Sequence, residues 1–227
     1  MAKLKSFFLA LVQNKWFCLS WLIFGFLYVT IYGMLWVEDI YTEGLRSYNV
    51  LGVMIEPTMT ATASIIGKTF PWAFRCWGLF QSIALGLNVL YANRRYGYKS
   101  KICNLLLLLG AVSIYIAVMI RSTEEPGLQR TAHWGFSLLF AFLYAIAMGM
   151  CLLSLAKRYK KFLATFIVYV AILALMLSLL IFVGKSGAIE SIPMWGSYLM
   201  LFLLNYTGVY KDCLPAAAAE EREAVTA

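Results

Sequence analysis

The stretch Ala132–Lys161, AHWGFSLLFAFLYAIAMGMCLLSLAKRYKK, decides the fold. Ala132–Leu155 is an apolar run without Asp, Glu, Lys or Arg, and it ends in a burst of cations: Lys157, Arg158, Lys160 and Lys161. A run of that length covers the ~30 Å of a bilayer's hydrocarbon at ~1.5 Å per residue. Backbone polar groups in lipid must be satisfied within their own segment, so the run is a helix. The cations mark the side on which it stops.

Five more runs of the same kind flank it: Trp16–Val37, Phe70–Tyr91, Ile102–Ile120, Phe162–Val183 and Ile192–Tyr210. None alternates over ~10 residues as a membrane β-barrel strand would. Composition agrees. Hydrophobic residues make up 62% of the 227, mean hydropathy is +0.77, and 13% are charged, against roughly 25% in soluble domains. The expected fold is therefore all-α, a polytopic membrane bundle of six transmembrane helices. Residues 1–214 form one domain, with a long, semi-apolar first external loop over 38–69. The segment 215–227, an alanine run followed by Glu220, Glu221, Arg222 and Glu223, reads as a disordered acidic tail.

Lys and Arg set the orientation. Lys3, Lys5 and Lys15 precede the first run, Arg94, Arg95, Lys99 and Lys101 join the second to the third, and Lys211 follows the sixth. With the KRYKK cluster these lie on one side. The other side carries the sparser Arg46, Lys68, Arg121, Arg130 and Lys185. The positive-inside rule then places both termini in the cytoplasm of a multi-pass cell-membrane protein. Trp16, Trp36, Trp72, Tyr91, Trp134, Trp195 and Tyr210 fit interfacial belts. The net charge of +8 does not signal nucleic acid. Its surplus sits in short juxtamembrane loops, where anionic headgroups are the expected partners of Arg94, Arg95, Lys99, Lys101, Lys157, Arg158, Lys160 and Lys161.

Ser6–Val12 is interrupted by Gln13, Asn14 and Lys15, and reads as a short interfacial helix rather than a signal peptide. Cys18, Cys76, Cys103, Cys151 and Cys213 are expected as free thiols. One histidine excludes bis-histidine haem ligation. No Gly-x-Ser-x-Gly elbow, phosphate-binding loop or dinucleotide turn is present, and no cofactor or metal is implied.

Function is expected on the external side, where most of the acidic residues fall. The first loop holds Glu38, Asp39, Glu43 and Glu56 among apolar stretches such as Val50–Ile55. Such a segment lies on the bilayer or folds as a lid over a pocket. Arg75 sits about a turn inside the second run, where an arginine snorkels or finds a carboxylate such as Glu38, Asp39 or Glu56. Gly78, Ser82 and Gly86 share its face at four-residue spacing. In the fourth run His133, Ser137, Ala141, Ala145 and Gly149 form a second such row, read as a packed seam. Thr131 is the candidate N-cap just before His133, and the helix dipole there favours a neutral imidazole able to donate or accept. Gln81, Asn88 and Asn205 are expected to bond between helices.

Six spans, both ends inside, Tyr48-Asn49-Val50-Leu51-Gly52 in the long first external loop and Thr131-Ala132-His133 opening the fourth span make a pattern. It resembles the bacterial six-helix membrane proteins of unknown function allied to the DRAM and Frag group. The usual Ser-Asp before Leu-Gly is Asn-Val here. The resemblance implies a lipid-associated role at the outer leaflet and supplies no catalytic mechanism.

Three function classes stay open. The leading one is a lipid-binding or lipid-organising protein, whose outward pocket lies between the first loop and the second and fourth spans. Arg75 and Arg121 would meet an anionic headgroup there, with Glu56 and His133 orienting it. The second is a membrane-embedded enzyme on a lipid or lipid-linked substrate, with His133 as general base and Glu38, Asp39 or Glu56 as its partner. The third is an accessory subunit or small-solute transporter, with the small-residue rows as interfaces to a partner helix or a second copy.

Overall fold

In the computed structural model the described residues are 2–33, 48–50, 53–55, 62–121, 123, 125–184 and 186–215. They form eight α-helices: α1 (Ala2–Gln13), α2 (Lys15–Gly33), α3 (Ala63–Thr69), α4 (Pro71–Arg95), α5 (Lys101–Met119), α6 (Leu128–Arg158), α7 (Lys160–Phe182) and α8 (Gly187–Tyr206). A 3-10 turn, Lys211–Cys213, follows. Six of the helices, α2 and α4 to α8, are long and apolar enough to cross a membrane.

The helices run past the apolar runs wherever their ends are favourable. α4 and α6 continue to Arg94, Arg95, Lys157 and Arg158, cations placed against the negative ends of the helix dipoles. α6 begins earlier than expected, at Leu128. Thr131 is therefore inside it, its Oγ1 donating to Gly127 O at 3.0 Å rather than capping. α8 starts at Gly187 because Ser186 caps it, the Ser186 Oγ accepting from Ile189 N at 3.2 Å. α6 and α7 are joined by a single extended residue, Tyr159. Asn14 separates α1 from α2 and caps the latter, its Oδ1 accepting from Phe17 N at 3.0 Å.

The first loop departs from an all-helical reading. Tyr48–Val50 (β1) and Val53–Ile55 (β2) pair antiparallel, Tyr48 opposite Ile55. These β-branched and aromatic residues favour extended backbone. The loop closes with α3, capped by Thr62, and Gly67 lets α3 press on Phe74 of α4. Glu38, Asp39, Glu43, Glu56 and the acidic tail lie outside the described residues.

α4 is the axis, packing against α1, α2, α3, α5 and α8, while α5, α6, α7 and α8 follow one another around it. The row Gly78, Ser82, Gly86 works as expected. Gly78 faces Val118 of α5, and Ser82 O accepts from the Tyr144 hydroxyl of α6 at 3.0 Å. Buried amides stitch the far side. Asn88 donates to Cys18 O of α2 at 2.9 Å, and its Oδ1 accepts from the Tyr206 hydroxyl. Asn205 Nδ2 donates to Asn88 O at 3.0 Å, and the Tyr198 hydroxyl donates to Gln81 Oε1 at 3.0 Å. Such bonds average ~0.6 kcal/mol in membrane helices, so their larger service is to fix which helix faces meet.

The outer faces are apolar, with Leu105, Leu108 and Val112 of α5 and Ile167, Leu175 and Ile181 of α7 exposed. α7 buries little besides Phe162 and Tyr169. The five cysteines are free.

Candidate functional site: a cavity between helices

The row His133, Ser137, Ala141, Ala145 and Gly149 does not pack as a seam. All five line a cavity of about 980 Å³ between α4, α6, α7 and α8. The small side chains leave space in front of α6. A Cβ on Gly149 would find its nearest neighbour, Tyr169, at 3.9 Å. Four-residue spacing of small residues marks a face stripped of bulk. It cannot say whether a helix or a void fills the space.

Tyr169 forms the floor, its hydroxyl donating to Ala145 O at 3.2 Å and holding α6 to α7. Beyond that contact the facing residues of both helices line the cavity, including Leu173, Met176 and Leu180 of α7. Leu138, Phe142 and Ile146 of α6 and Val170 and Leu177 of α7 line it and are also exposed. The cavity therefore opens sideways, between α6 and α7, on the apolar face of the bundle.

The far end is roofed by α3, through Ala63, Ser64 and Ile66, and by the first turns of α8. Tyr32 fixes α3 there, donating to Ala63 O at 2.7 Å. Tyr32, Phe74 and Trp77 stack on one another nearby, with centroids 5.8 to 6.3 Å apart.

His133 borders this end, 3% exposed, its ring 6.1 Å from that of Phe74. Its Nδ1 lies 2.9 Å from Ala117 O and 3.1 Å from Ile120 O. Those carbonyls belong to the last turn of α5 and to Ile120, the residue that caps it, where helix acceptors lack partners of their own. Both are acceptors, so Nδ1 carries the proton.

The other expected site residues lie elsewhere. Arg75 is half-buried and stacks on Trp72, its guanidinium carbon 4.8 Å from the ring centroid. Its Nε is buried with no hydrogen-bond partner among the described residues. Arg121 is exposed in the α5–α6 connection, where its carbonyl accepts from Gln129 at 2.8 Å. Neither arginine lines the cavity, whereas Glu190, not singled out in the sequence, does. Among the described residues no carboxylate bonds His133, and no cluster of His, Cys, Asp and Glu is arranged to hold a metal.

At the opposite end of the bundle Lys99, Lys101, Lys157, Arg158, Lys160 and Lys161 are exposed. Lys161 pairs with Asp212, which holds that carboxyl below the usual carboxylate range. Arg94 donates to Leu9 O at 3.0 Å and ties down α1. Arg95 lies over the Tyr96 ring, with Nε and Nη1 buried and without partners among the described residues.

No known protein family, no curated protein and no solved structure matches this chain.

Proposed function

We propose that this is a multi-pass cell-membrane protein that binds lipid, holding the apolar chain of an amphiphile in the cavity between α6 and α7. One observation carries the reading: an apolar void of about 980 Å³ whose open side is framed by exposed Leu138, Phe142, Val170 and Leu177. Its size is at the top of the ~300–1,000 Å³ range of ligand pockets. Lipid tails meeting the α6–α7 face would pass from one apolar surroundings to another, and the wall contacts favour the enclosed chain. The resemblance to the DRAM and Frag group agrees with a lipid-associated role. The enzyme reading has less support, because among the described residues no carboxylate bonds His133.

Photocrosslinking with a phospholipid bearing a diazirine near its acyl terminus tests this. Adducts are expected on Met148, Leu173 and Met176, which face the cavity. Adducts confined to outward residues such as Leu139 and Leu175 overturn it.

Both termini are assigned to the cytoplasm, where the exposed basic cluster would contact anionic headgroups. In whole cells a membrane-impermeant maleimide is expected to label Leu128→Cys, at the far end of α6, and to spare Lys101→Cys. The reverse pattern inverts the topology.

A further inference from the structure

We propose that the amphiphile in the cavity carries a hydrogen-bond-donating head, a hydroxyl or amine rather than an anionic group, and that His133 Nε2 accepts from it. This rests on the cavity reading and adds to it the chemistry of the head.

The argument begins with the tautomer. Nδ1 is committed as a donor to Ala117 O and Ile120 O, at 2.9 and 3.1 Å. With the proton of this tautomer on Nδ1, its lone pair is at Nε2. Nε2 has no hydrogen-bond partner among the described residues, although His133 is 3% exposed and lines the cavity. The Nε2 lone pair is therefore open to the cavity, where a ligand donor would satisfy it. A phosphate diester or a carboxylate offers acceptors alone and would face this lone pair unfavourably.

The remaining wall argues the same way. Among the described lining residues there is no Lys or Arg. Ser64, Ser137 and Ser191 add hydroxyls at the same end. Ser137 already donates to His133 O at 2.8 Å, and Ser191 to Gly187 O at 2.7 Å, so their oxygens remain to accept from a ligand. Among the described residues this end of the cavity offers acceptors and no Lys or Arg, which suits a head that gives protons in hydrogen bonds.

The test compares three probes of one chain length on the full protein in a donor-free amine-oxide detergent: 1-monooleoylglycerol, methyl oleate and oleate. Retention is read by native mass spectrometry. The wild type is expected to keep monooleoylglycerol at least tenfold better than either of the others. His133→Asn keeps an amide donor for the α5 carbonyls and places no atom at the Nε2 position, its own Oδ1 being set back toward the α6 backbone, so it should lose that preference to within about twofold. Its melting temperature should stay near wild type, whereas His133→Leu, which removes the donor as well, should melt lower. A wild type that prefers oleate, or a preference unchanged in His133→Asn, overturns the assignment of the head and leaves the cavity reading intact. A wild type that retains none of the three overturns the cavity reading itself.

Discussion

Gly25→Leu is expected to unfold the bundle at a temperature well below wild type. A Cβ at Gly25 would lie 2.5 Å from the Tyr198 hydroxyl and 2.6 Å from Ala84 Cβ. Both are closer than real Cβ contacts permit, and Ala84 is fully buried on α4. The helix α2 must therefore move away from α4 and α8. The Tyr198 hydroxyl, pressed by the new side chain, also leaves Gln81 Oε1, and the Nε2 of that amide is already unpartnered among the described residues. Overpacking costs ~1–3 kcal/mol, and a buried amide left unsatisfied adds about 1–3 kcal/mol. At roughly 2–4 °C per kcal/mol for a chain of this size, thermal melting in mild detergent should fall by about 4–24 °C. Gly135→Leu, with nothing within 4 Å of its Cβ, is the control and should melt with wild type. Equal melting of the two variants would contradict the close α2–α4 approach.

The six long helices were legible because the lengths and charges of apolar runs report directly on helices that can cross a bilayer. Their ends were less so. α6 begins four residues before Ala132, and its cap is Gly127 rather than Thr131, since Leu128–Arg130 have no residue that stops a helix. The hairpin Tyr48–Val50 with Val53–Ile55 looks like apolar loop in the sequence, because three-residue strands leave little periodicity to detect. The amides of Gln81, Asn88 and Asn205 stood out and do bond between helices. A polar side chain in an apolar run has few other ways to be satisfied.

The site was half legible. His133 and the small-residue row on α6 were found from spacing, but one-dimensional spacing cannot separate a seam from a void. Which it is depends on how far α7 stands off, and α7 is apolar on every side. Arg75 drew notice as a charge within a span, yet Trp72 one turn away on the same face receives it. The portal had no sequence signal at all. Leu138 and Phe142 look like any other lipid-facing residues until α6 and α7 are placed together.

The second large effect is on the ligand. Ala141 lies in the middle of the lining row, and its small side chain leaves the adjacent space open. Trp at that position would place an indole between α6 and α7, within the void. The residue is also exposed, so the new ring can be accommodated with little strain on the core, and melting should change by no more than about 1 °C. Bound amphiphile, in contrast, should fall more than tenfold, the loss of ~1.4 kcal/mol or more of binding. Leu139→Trp, on the same helix but off the cavity wall, should leave retention unchanged.

Native mass spectrometry of wild type beside Ala141→Trp, both taken from membranes in the same mild detergent, is the most direct measurement. A discrete bound amphiphile on wild type, lost from Ala141→Trp and kept by Leu139→Trp, is the predicted result. Wild type without bound amphiphile, or equal occupancy of all three proteins, would contradict a cavity that holds lipid.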